Sequence, residues 1–86
     1  MRILVQGLES KERVKLLLKL TKIDSENIQR ALTDHLCKGH KEDDAAMLND
    51  VPRQNFNRAL KRLNDVAGIV EHIKELDWEQ FKNQTS

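Results

Sequence analysis

Between Pro52 and Asn64 the chain carries four cations (Arg53, Arg58, Lys61 and Arg62), the amides Gln54, Asn55 and Asn57, and no carboxylate. Guanidinium and ammonium groups pair with phosphate or with the guanine edge, and side-chain amides pair with the adenine edge. With Phe56 at the centre of a buried face, a turn of roughly 100° per residue puts Gln54, Asn57, Arg58 and Lys61 on the opposite side. Asn55 and Arg62 flank them, and Arg53 stands at the amino end. A charge run alone reads as a solvated helix face. The lack of acids, the amides among the cations and the turn before Pro52 favour a surface that reads nucleic acid, with Arg62 and Lys41 as phosphate contacts.

The elements that must hold this ridge can be read from the apolar spacing. Lys41–Leu48 is a short helix with Ala45 and Leu48 facing inward and Ala46 and Met47 alongside. Asn49-Asp50-Val51 is a tight connection with Val51 as its apolar plug, and Pro52 suits the first turn of the next helix. The unit Lys41–Leu63 is therefore expected to form a helix-turn-helix. Upstream, Glu9–Thr21 has a stripe of Val14, Leu17, Leu18 and Leu20, with Leu16 outside it. Ser25 caps a helix whose face is Ile28, Ala31, Leu32 and Leu36 and which Gly39 ends, with His35 at the edge of that face. Met1–Leu8 reads as an arm or a short strand. Downstream, Val66, Ala67, Val70, Ile73 and Leu76 continue the apolar period, so the last helix either runs on to about Phe81 or breaks near Asn64 or Gly68. Asn83–Ser86 reads as a disordered tail. The expected fold is all-α: one domain over residues 1–86, a small bundle of four to five helices with a long or kinked C-terminal helix.

Composition narrows the function. Eighty-six residues, 38% hydrophobic and 34% charged, make one thin core. The net charge of +1 means that nucleic-acid binding must come from local clustering. A single cysteine, Cys37, forms no intrachain disulfide and fits a reducing compartment. His35, Cys37 and His40 are close in sequence, but positions 35 and 37 diverge on a helix and no paired ligand spacing supports zinc. There is no phosphate loop, nucleophile triad or framed carboxylate pair, so neither an enzyme nor a cofactor is expected. Met1–Leu8 is too short for a signal core or a membrane span, and a cytoplasmic, nucleoid-associated location follows. Glu71, Glu75, Asp77 and Glu79 read as a solvated face; the less bland reading pairs them with Lys11, Arg13, Lys15 or Lys19 of another copy.

From about Leu17 to Lys74 the chain resembles the PapB/FocB type of adhesin-biosynthesis (fimbrial) transcriptional regulators. The matching residues are LLLKLTKIDSENIQRALTDHL, then Lys38-Gly39-His40, Asn55-Phe56 and Leu60-x-Arg62-Leu63-Asn64. The resemblance implies a helical bacterial regulator that binds A·T-rich double-stranded DNA near fimbrial promoters and oligomerises along it. Members of that family usually carry a basic, cysteine-containing stretch at the start of the hairpin. This chain has Glu42-Asp43-Asp44 there, acids that would repel a phosphate they faced. The expected self-contacts are Leu4, Leu17, Val70, Ile73, Leu76 and Trp78. The competing expectation is a protein-interaction adaptor or antagonist that binds another, related regulator through its helical stripe.

Overall fold

The structure, a computed structural model, describes residues 3–85 and side chains as far as Asn83. Met1, Arg2 and Ser86 lie outside the described residues. Four helices follow in order: α1 Lys11–Lys19, α2 Glu26–Cys37, α3 Glu42–Leu48 and α4 Arg53–Thr85. No strand occurs among the described residues. The segment from Ile3 to Ser10 is an arm of turns rather than a strand.

Local chemistry sets the helix ends. The Ser10 hydroxyl accepts the Arg13 amide at 3.1 Å and opens α1, and the Ser25 hydroxyl accepts the Ile28 amide at 3.4 Å and opens α2. At the end of α3, Asp50 adopts the left-handed conformation with φ 54°. Its amide bonds Met47 O and the Val51 amide bonds Ala46 O, the reciprocal pair that caps a helix carboxyl end. The Pro52 carbonyl accepts the Phe56 amide, so α4 starts immediately after the proline. From there α4 is unbroken for 33 residues, with neither Asn64 nor Gly68 interrupting it. It takes in Asn83–Thr85, so that part of the expected disordered tail is helical.

The core is one cluster. Phe56, Leu63 and Ala67 of α4 meet Ala31, Leu32 and Leu36 of α2, Val14 and Leu17 of α1 and Ala45 and Ala46 of α3, with Val51 plugging the turn. Burying Phe56 contributes about 2–3 kcal/mol by area removed from water. The two adjacent alanines let α3 approach closely. Leu48, expected to face inward, is exposed, because Ala45 and Ala46 already fill the inner side of so short a helix.

The amino-terminal arm closes the bundle. Leu4 is buried, and the Asn64 side chain accepts both the Ile3 and Leu4 amides at 3.0 Å. Gly7 and Glu9 donate to the carbonyls of His35 and Leu36 in the last turn of α2. Gly7 (φ 76°) and Gly39 (φ 84°) pass so closely that a Cβ on Gly7 would stand 3.1 Å from the Gly39 Cα. Leu4 and Leu17 are thus part of the chain's own core. This corrects their expected role as contacts between copies, since a buried side chain has no face left to offer.

Beyond Glu71 the last helix projects from the body. The molecule measures 52 × 23 × 22 Å, and this helix sets the long axis. Ile69, Ile73, Leu76, Trp78 and Phe81 are all more than half exposed. No helix among the described residues is long and apolar enough to cross a membrane.

Candidate nucleic-acid interface

The ridge on α4 is held by what lies beneath it. Phe56, fully buried, fixes the rotation of the helix. The His35 ring meets it edge-on, with centroids 5.8 Å apart and planes at 83°. His35 is itself 4% exposed, deeper than the edge position its spacing suggested. Its Nδ1 lies 2.8 Å from the His40 carbonyl, which can only accept, so Nδ1 carries the proton. One buried imidazole therefore joins α2, the Gly39-His40 turn and α4. Cys37 beside it is half-buried, and burial pushes its thiol pKa up, away from reactivity.

With that rotation fixed, Gln54, Asn55, Asn57, Arg58, Lys61 and Arg62 are all exposed, as is Lys41 at the amino cap of α3. They divide into two groups. Arg58, Lys61 and Arg62 recur at i, i+3 and i+4 and take part in no ion pair among the described residues. With Asp65 and Val66 they border a shallow groove of about 380 Å³. Gln54 and Asn55 lie one turn earlier on the same side. The acid-free stretch thus ends at Asp65, one turn past Arg62.

Arg53 and Asn57 turn toward α3 instead. Arg53 Nη1 donates to Asn57 Oδ1 at 2.9 Å. The same guanidinium pairs with Glu42 at 3.4 Å and with Asp43 at 2.5 Å. Its Cζ lies 5.7 Å from the Phe56 ring centroid. Glu42, Arg53, Asn57 and Lys61 share a cleft of about 450 Å³ with Leu60 and Asn64. Glu42 and Asp43 therefore do crowd the approach to the ridge at its amino end, and the cleft that Glu42 lines extends to Lys61.

Two further polar links brace the frame. Arg13 Nη2 pairs with Glu71 Oε1 at 2.9 Å and its Nε with Glu9 at 3.2 Å, joining α1, the arm and α4. Expected at most between copies, this pairing of basic α1 with acidic α4 occurs within one chain. The bond from Arg13, assisted by Lys74, holds the Glu71 carboxyl below its ordinary pKa. At the other end, Asn49 Nδ2 donates to Asp34 at 2.9 Å, tying the α3–α4 turn to α2. Burial works to raise the Asp34 pKa, but the Asn49 bond and the nearby Lys38 outweigh it and hold it low.

Comparison with known proteins agrees with this architecture. The sequence model of the PapB family, described as adhesin biosynthesis transcription regulatory protein, matches residues 1–76. The crystal structure of E. coli FocB at 1.4 Å resolution is similar, with a TM-score of 0.78 at 26% identity over 85% of this chain and 83% of that one. No curated protein matches.

Proposed function

The chain belongs to the PapB family of adhesin biosynthesis transcription regulatory proteins, and from that premise we propose that it regulates such genes by binding A·T-rich double-stranded DNA through α4. In this reading α3, the turn and α4 act as a helix-turn-helix, with α4 as the reading element. The observation that carries it is the exposed triad Arg58, Lys61 and Arg62, which holds three positive charges on one helix face with no carboxylate paired to them among the described residues. Gln54 and Asn55 are the base-reading candidates beside it, and Lys41 is a peripheral phosphate contact.

One chain offers few phosphate contacts, and each adds only about 0.9 to the salt slope of binding. More than one copy on the same duplex makes up the difference. Val66, Ile69, Ile73 and Leu76 follow a 3-4-3 spacing along α4, the seam along which two helices pack. Three of these four are more than half exposed. Val70, Ile73, Leu76 and Trp78 remain the proposed self-contact residues. The location that goes with this reading is the cytoplasm, at the nucleoid.

The test is DNA binding by the variant R58A/K61A, measured by fluorescence anisotropy on an A·T-rich duplex. Both side chains are exposed, so the fold is retained while binding weakens sharply; unchanged binding refutes the assignment. A second reading draws on the neutralised Arg53 and the bare apolar stripe: an adaptor that binds a related regulator. It predicts no affinity for any duplex together with tight binding to a protein partner.

A further inference from the structure

The proposed DNA face begins at a side chain that already has partners. The Arg53 guanidinium offers two edges for bidentate contact with phosphate or guanine, Nε with Nη2 and Nη1 with Nη2. Nε is taken by Asp43 Oδ1 at 2.5 Å. Nη1 is taken by Asn57 Oδ1 at 2.9 Å and faces Glu42 Oε1 at 3.4 Å. Each edge therefore has one donor committed, and neither can meet DNA without releasing a protein oxygen. Arg58, Lys61 and Arg62, one to two turns further along, take part in no ion pair among the described residues. The clasp is also displaceable. The Arg53 side chain is 41% exposed and that of Asp43 83%, where ion pairs are weak and screened by salt.

We infer that Glu42 and Asp43 are specificity-determining residues that act through Arg53: they occupy its guanidinium in place of phosphate and so hold down sequence-independent binding at the amino end of α4. This rests on the DNA-binding reading above. A duplex whose sequence-dependent shape sets a phosphate squarely against Arg53 displaces the carboxylates. A featureless backbone does not, and is left to the Arg58–Arg62 ridge alone.

The experiment measures anisotropy on an A·T-rich duplex and on one of unrelated sequence, across a salt series. The proteins are the unaltered chain, E42Q/D43N, R53A, the triple variant E42Q/D43N/R53A and R58A/K61A. Freeing one cation for one phosphate tightens E42Q/D43N on the unrelated duplex by about eightfold near 0.1 M salt and steepens its salt slope by about 0.9. The gain on the A·T-rich duplex is smaller. R53A in the unaltered background barely changes binding to the unrelated duplex, and the triple variant loses the gain. D43N alone, at the more exposed acid, gives a smaller effect of the same sign. If E42Q/D43N binds like the unaltered protein, or if its gain survives R53A, the inference is overturned. R58A/K61A separates the two readings: if it loses binding while E42Q/D43N changes nothing, the clasp fails and the DNA face stands. If no form binds either duplex, both fall.

Discussion

Phe56 and His35 show how one buried contact governs an exposed surface. The imidazole edge on the ring fixes the rotation of α4, and that rotation decides which cations face outward. Phe56→Ala removes a fully buried ring from a thin core and costs about 3–5 kcal/mol, read as a lower urea midpoint. Asp34 and Glu71 make a second case. Both carboxyls lie below their ordinary pKa in the folded chain, so both stabilise it above the carboxylate range. That stabilisation is lost as pH falls through their lowered folded values, below the ordinary carboxylate range. Removing one acceptor, as in Asp34→Asn or Glu71→Gln, therefore lowers thermal stability at neutral and alkaline pH by a constant amount and shallows its loss on the acid side. Arg58, Lys61 and Arg62 were legible as an exposed set because helical spacing alone places them. Arg53 was not, because its carboxylate partners come from the preceding helix, and no period within α4 reports on them. His35 was misplaced for a related reason: its polarity suggests a surface, while its burial depends on the His40 carbonyl that satisfies Nδ1.

At the scale of elements, α3 is the least self-sufficient part of the chain. It has seven residues and no side-chain cap, and it is held by two buried alanines, the capped turn at Asp50, the Asn49–Asp34 bond and the Arg53 clasp. The caps Ser10 and Ser25 and the apolar faces of α2 and α4 could be read locally. The docking of the arm could not, because it depends on Asn64, sixty residues away in sequence, accepting two arm amides. Asn64→Ala leaves those amides without their acceptor and costs about 1–3 kcal/mol. Amide hydrogen exchange then accelerates at Ile3 and Leu4, whereas Asn64→Asp keeps an acceptor in place and preserves most of the protection. Exchange at these amides that is the same in Asn64→Ala as in the unaltered chain contradicts the anchoring role.

For the molecule as a whole, α4 has two tasks along its length. Its first half is packed into the bundle and presents the basic ridge, and its second half extends past the body with its apolar side bare. The apolar period past Gly68 was legible as continuous helix. What covers it was not, since the same spacing serves a core and a contact between copies. Ile73→Glu with Leu76→Glu places charge on the proposed seam without touching the core, so light scattering should report a monomer and DNA affinity should fall with the loss of the second copy. An assembly that persists in this variant contradicts that use of the helix. The central claim is that Arg58, Lys61 and Arg62 meet phosphate, and the salt dependence of duplex binding tests it most directly. These three residues contribute about −2.7 per chain to the slope of log K against log salt, and R58A/K61A makes the slope shallower by about 1.8. A slope that these substitutions leave unchanged would contradict it.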